Sequence, residues 1–135
     1  MSHHTNMQPL TPESLSKVQA EIPHDELLHY VTNAFDALGD PTRARIVYAL
    51  SKRWLCVGDV ASLVGVSESA VSHQLRILRD RRVVKSQRHG TSIYYSVDDP
   101  HIAAMIREAE YHADHAFRKL PDHPYALRVH EEPTP

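Results

Sequence analysis

Val57-Gly58-Asp59-Val60-Ala61-Ser62-Leu63-Val64-Gly65-Val66-Ser67-Glu68-Ser69-Ala70-Val71-Ser72-His73-Gln74-Leu75-Arg76-Ile77-Leu78-Arg79-Asp80-Arg81-Arg82 is the stretch that decides the fold. Val57 to Val64 reads as a short helix stopped by Gly65. Ser67 has the hydroxyl of an N-cap, and the helix it opens runs to about Arg82 with Ala70, Val71, Leu75 and Leu78 inward. Two helices joined by a glycine-containing turn are a helix-turn-helix. Directly after it, Val83 to Gln87 and Thr91 to Val97 are β-prone, with Arg88-His89-Gly90 between them as a hairpin tip. The expected fold is therefore mainly α with a small β-hairpin wing, a winged helix-turn-helix.

Upstream, residues 1 to about 10 are polar and read as a flexible arm. Thr11-Pro12-Glu13 opens a short helix that ends near Glu21. A second starts between Pro23 and Asp25 and carries Leu27, Leu28, Val31, Ala34, Phe35 and Leu38 on one stripe until Gly39-Asp40-Pro41 breaks it. Thr42 to Ser51 forms a third, burying Ile46, Val47 and Leu50. Downstream, a final helix spans about Pro100 to Leu120 with Ile102, Ile106, Ala109, Ala113, Ala116 and Phe117 on its apolar side. Four prolines mark a loose tail from Pro121. One domain over 11–120 is expected between the arm (1–10) and the tail (121–135).

Bulk properties narrow the function. At 135 residues with 41% apolar and 24% charged side chains, the chain is ordinary globular material. No apolar run reaches the roughly 18 residues of a membrane span. Met1-Ser2-His3-His4 lacks a secretory pattern, and the single cysteine has no internal partner. A cytoplasmic location is expected. The net charge of −2 rules out a general polycation, but from Ser67 to Gly90 six cations face two acids. Arg76, Arg79, Lys85 and Arg88 belong to this basic stripe, which suits DNA phosphates. Ser67, Ser69, Ser72, His73 and Gln74, at the start of the second helix, are the types that reach base edges in a major groove. Arg88 and His89 extend toward the neighbouring minor groove. Pairing two such units at one turn of double-stranded operator DNA implies a homodimer, joined through its N- and C-terminal helices.

Histidine is the other signal, with 11 copies. His112 and His115 share a helix face, while Asp99 and His101 lie at the helix start. His101 and His112 return to nearly the same face but stand roughly 16 Å apart along the axis. One helix cannot bring all four around one ion. Two antiparallel copies can, with Asp99 and His101 from one chain meeting His112 and His115 from the other. Three imidazoles and a carboxylate suit tetrahedral Zn(II), with Co(II) a close mimic. The alanines Ala103, Ala109, Ala113 and Ala116 would let two such helices approach closely.

From Phe35 to Phe117 the chain resembles the ArsR/SmtB metalloregulators. The resemblance is carried by Leu38-Gly39-Asp40-Pro41-Thr42-Arg43, Leu55-Cys56-Val57-Gly58-Asp59-Val60, the Ser-x-x-x-Ser-x-His-x-Leu core within Val66 to Leu75, and Tyr94-Tyr95. It implies a dimeric repressor that leaves its operator when an inducer metal binds. It also implies that Asp99, His101, His112 and His115 are the family's zinc site, with His112 relaying to the recognition unit. A second family site maps to Cys56 and Asp59, with His3 and His4 of the partner's arm as donors. Gly58 stands where arsenic and lead sensors carry a second cysteine, so a dithiol site is not expected. A nickel or cobalt sensor on the same scaffold is the near alternative, recruiting His3, His4, His123 or His130 for six-coordination. A thiol redox switch through Cys56 is the alternative of a different class. An enzyme acting on a small-molecule substrate is not expected: four protein ligands leave no open metal position, and there is no His-Glu-x-x-His.

Overall fold

The computed structural model describes residues 7–121. The chain divides into two compact units, Met1–Thr32 and Asn33–Pro135. In the first, helix α1 (Pro12–Glu21) is opened by Thr11, whose side-chain oxygen accepts from the Ser14 amide at 3.3 Å, and by Pro12 in the first turn. No residue of α1 is buried. Helix α2 (Asp25–Leu38) begins in this unit with Asp25 and Glu26 in its first turn, where the helix dipole favours acids. Its stripe is largely uncovered: Leu27, Leu28, Val31 and Phe35 are exposed, and Ala37 is the buried residue. The 3.6-residue period was enough to place the helix but says nothing about what covers its apolar face.

The second unit holds the helix-turn-helix and the wing. Helix α3 (Pro41–Lys52) is capped by Asp40, whose Oδ2 accepts from the Arg43 amide at 3.0 Å, and buries Ile46, Val47 and Leu50. A two-residue strand β1 (Leu55–Cys56) leads into helix α4 (Val57–Val64), which ends at Gly65 with φ of 76°. Only glycine takes up that left-handed backbone without strain. Helix α5 (Glu68–Asp80) starts at Ser67, whose Oγ accepts from the Ala70 amide at 3.1 Å, and buries Val71, Leu75 and Leu78. Ala70 is exposed rather than inward because it precedes the first covered turn of that stripe. The helix ends at Asp80, two residues before the sequence reading placed it. The Val83 amide donates to the Leu78 carbonyl at 2.9 Å around Arg82, which has φ of 57°. This is a Schellman-type ending with arginine where glycine is usual.

Strands β2 (Val84–His89) and β3 (Ser92–Val97) form the wing, with Val84 opposite Val97 and His89 opposite Ser92. Arg88 and His89 belong to the ladder rather than to the tip, which is Gly90-Thr91. Gly90, at φ of 62°, supplies the tight reversal. The sheet also has a third strand that the hairpin reading missed. Leu55 pairs with Tyr95 and Cys56 with Tyr94, giving the order β1-β3-β2. Two residues carry no periodicity, so only the tertiary pairing reveals them.

Helix α6 (Pro100–Phe117) begins at Asp99, whose Oδ1 accepts from the amides of His101 at 2.8 Å and Ile102 at 3.2 Å. Ile102 and Ile106 are buried, and the Tyr48 hydroxyl donates to the Ile106 carbonyl at 3.3 Å, which pins α6 to α3. Beyond that point Asp114 is buried, but the apolar residues Ala109, Ala113, Ala116 and Phe117 are exposed, the last at 80%. The core of the unit is Ile46, Val47, Leu50, Val60, Val71, Leu75, Leu78, Val83 and Val84, with Ile102 and Ile106 at its margin.

Candidate nucleic-acid interface and metal-ligating residues

Helix α5 is held by its inward stripe, so its opposite face is displayed. Ser69, Ser72, His73, Arg76 and Arg79 are all exposed on it, and Ser67 sits at its start. Arg76 and Arg79 form no ion pair among the described residues. Lys85 lies 5.7 Å from the centre of the Trp54 ring, and His89 meets Tyr94 edge-on at 5.8 Å. Both therefore project from one face of the wing, the face that also carries Gln87, which pairs with Tyr94. Arg88 is exposed on the opposite face near the tip.

Not every cation of the stripe is free for phosphate. Arg81 pairs with the Asp36 carboxylate on the last turn of α2. The Arg81 hydrogen bond, and then its charge, hold the Asp36 carboxyl below its ordinary value. Gln74, read from sequence as a base contact, is half-buried and also engaged. The Arg43 Nη1 donates to its Oε1 at 3.4 Å. Arg43 itself is fixed by donating Nε to the Ala37 carbonyl at 2.7 Å and Nη2 to the Asp36 carbonyl at 3.2 Å. The sequence reading missed both ties. Asp36 lies 45 residues from Arg81, at the end of α5, and Arg43 31 residues from Gln74 within it, beyond the reach of any local spacing rule.

The candidate metal donors divide as their separation along α6 requires. His101, His112 and His115 are exposed, and Asp99 is half-exposed at the helix start. Among the described residues no three His, Cys, Asp or Glu side chains of one chain converge on a common point. His115 Nδ1 lies 3.3 Å from the Leu120 carbonyl oxygen. A carbonyl only accepts, so Nδ1 carries the hydrogen and Nε2 keeps the lone pair, the tautomer a metal ligand needs. The His112 ring packs edge-on to Phe117 at 6.3 Å. Asp99 uses Oδ1 as the helix cap, and Oδ2 has no protein donor among the described residues.

Cys56 is half-buried at the start of α4 and makes no side-chain cap there, while Asp59 is exposed one turn on. A Cβ at Gly58 would come 3.0 Å from Glu68 Oε1, the end of an exposed side chain on α5's first turn. His3, His4, His123 and His130 lie outside the described residues. No helix among the described residues is long and apolar enough to cross a membrane.

Comparison with known proteins agrees with this architecture. Residues 40–86 match the model of the bacterial regulatory protein, arsR family. The chain is 46% identical over 109 residues to a transcriptional repressor SmtB homolog of Synechocystis sp., covering 80% of each. It is 40% identical over 83 residues to a cadmium resistance transcriptional regulatory protein CadC homolog of Staphylococcus aureus, covering 61% of this chain and 69% of that one. The solution structure of apo-NmtR superposes with a TM-score of 0.56 at 34% identity, covering 94% of this chain and 97% of the other.

Proposed function

Because the chain belongs to the ArsR family of bacterial regulatory proteins, regulators rather than enzymes, we propose that it is a cytoplasmic transcriptional repressor that holds operator DNA as a homodimer and releases it when zinc binds. Residues 11–120 are the working domain, with 1–10 an arm and 121–135 a tail. The observation that carries the metal half is the division of donors along α6. Asp99 and His101 stand at one end and His112 and His115 at the other, the three histidines exposed and Asp99 half-exposed, and the far half of the helix shows an uncovered apolar face at Ala109, Ala113, Ala116 and Phe117. An antiparallel partner would cover that face and complete two equivalent sites.

The donor set fits the ion. Three neutral imidazoles and one carboxylate match Zn(II), and both Asp99 and His115 are oriented by hydrogen bonds to their unused atoms. When bound, zinc would link the two chains' last helices. The protein's own part is to present Asp99 Oδ2 and His115 Nε2 in a fixed direction before the ion arrives. On the DNA side, Ser67, Ser69, Ser72 and His73 face the major groove, while Arg76, Arg79, Lys85, Arg88 and His89 meet phosphates. Release requires that zinc bind the free dimer more tightly than the DNA-bound one. A coupling of about 1–3 kcal/mol is typical and changes operator affinity about 5- to 150-fold.

The test is fluorescence anisotropy of the full chain on a labelled fragment of its own upstream DNA. It is run with chelator and then with Zn(II), Ni(II) or Co(II), for the parent and for His112→Ala/His115→Ala. Tight binding that zinc weakens only in the parent chain is the expected result. Release by nickel alone, with the faint d–d bands of six-coordinate Co(II), would reassign the metal. Indifference to every metal, with loss of binding on thiol blocking, would move the switch to Cys56, and Asp59, His3 and His4 would then lose their role as donors.

A further inference from the structure

We infer that Arg43 sets what Gln74 reads in DNA: it occupies the carbonyl of the Gln74 amide, so Gln74 faces the operator as a donor only and selects a base that offers acceptors. The inference rests on the proposed docking of α5 in the major groove and deepens it.

A free glutamine in the major groove pairs with adenine through both halves of its amide, the carbonyl accepting from N6 and the NH2 donating to N7. That mode needs the carbonyl. Here the Arg43 guanidinium lies 3.4 Å from Gln74 Oε1. The orientation of the amide follows from chemistry, because a guanidinium has five donors and no acceptor. Turning the amide over would set NH2 against NH, donor against donor. Arg43 cannot swing aside cheaply either. Its Nε and Nη2 close the last turn of α2 through the Ala37 and Asp36 carbonyls at 2.7 and 3.2 Å. The Ala37 carbonyl is left over by the helix end at Gly39, while the Asp36 carbonyl also accepts from the Gly39 amide at 3.2 Å. The guanidinium is thus a fixed part of the α2–α3 corner, and Gln74 is half-buried against it.

What remains for DNA is the Gln74 NH2 with two hydrogens. Guanine, with N7 and O6, and thymine, with O4, present acceptors there without a competing donor at the same edge. Adenine presents N6-H2 beside N7 and would meet the amide donor with its own. The base facing Gln74 should therefore be guanine or thymine, whereas sequence alone would assign adenine.

The experiment is selection of bound duplexes from a randomised library with the full-length chain under chelation. It compares the parent with Gln74→Ala, Gln74→Glu and Arg43→Met. Gln74→Ala identifies the position Gln74 reads, as the one whose preference it flattens. At that position the parent should enrich guanine or thymine over adenine by at least about fivefold. Gln74→Glu retains an oxygen for Arg43 but has no donor, and should lose the enrichment there alone. Arg43→Met frees the carbonyl and should move the preference toward adenine at that one position, a change of identity that mere loosening of α5 would not produce. Should Arg43→Met fold poorly, the parent and Gln74→Glu decide between them. Adenine preferred by the parent at that position, or no position altered by Gln74→Ala, would overturn the inference while leaving DNA binding intact. A parent chain that enriches no sequence at all would refute the operator-reading proposal, and this inference with it.

Discussion

Replacing Asp99 separates two roles that one carboxylate is proposed to hold. Its Oδ1 accepts from two amides at the start of α6, at 2.8 and 3.2 Å. Alanine there leaves both amides unpaired, which for an N-cap costs about 1 kcal/mol and up to about 2. For a domain of this size each kcal/mol lowers the melting temperature by roughly 3–5 °C. Asp99→Ala should therefore melt about 3–10 °C lower in chelator. Asparagine keeps the accepting oxygen and loses only the charge at the positive end of the helix, worth about 0.3–1 kcal/mol. Asp99→Asn should fall by no more than about 5 °C. With zinc the two variants should behave alike. Changes beside a metal ligand already cost about 10- to 100-fold in metal affinity, so removing a ligand should cost no less. Melting curves followed by circular dichroism give the first quantity, and zinc-driven operator release followed by anisotropy gives the second. Wild-type zinc response in Asp99→Asn would refute the ligand role and leave Asp99 a helix cap.

Leu78 is wholly buried, so Leu78→Ala should cost about 2–5 kcal/mol in urea unfolding and abolish DNA binding at growth temperature. Arg76→Ala/Arg79→Ala should lower the slope of log affinity against log salt by about 2 while shifting base preference little, as measured over a salt series. Arg82→Gly should raise stability by up to about 1 kcal/mol, because residue 82 sits at φ of 57°; denaturant midpoints would show it. The Asp36 carboxyl titrates below its ordinary 3.8 in the fold. Its ion pair with Arg81 therefore stabilises fully above that value and is lost as pH falls through the folded-state value. Asp36→Asn should be less stable than the parent at neutral pH, and the gap should close in strong acid.

Much of this was legible in the chain because the helix signals are local and redundant. Thr11 and Ser67 cap their helices as read, and Gly65 ends α4 where its left-handed backbone is required, while Asp40 and Asp99, read as a break and as a metal ligand, are caps as well. The stripe Val71, Leu75, Leu78 likewise gave the inward face of α5. What escaped was non-local. The β1 pairing joins Leu55 to Tyr95, and the Arg43–Gln74 and Arg81–Asp36 ties join elements that share no spacing. The amphipathic stripes were legible, but not what covers them: Leu27 and Phe35 on α2, and Ala113 and Phe117 on α6, are apolar on schedule yet uncovered within one chain. Periodicity records that a face is apolar and cannot say whether its cover comes from the same chain or from another.

The two residues of β1 bear on how the wing comes into being. A two-stranded hairpin alone is marginal in water. Here its inner strand is latched to residues about 40 positions earlier, just ahead of α4. Closing that long loop comes late in folding. Once closed, the latch makes the wing part of the global cooperative unit instead of a frayed appendage. Amide hydrogens around Tyr94 and Tyr95 should exchange with solvent only when the whole unit opens, while those at Gly90 and Thr91 exchange by local breathing. The wing would then approach DNA with a rigid root and a yielding tip, its shape settled before any groove is met.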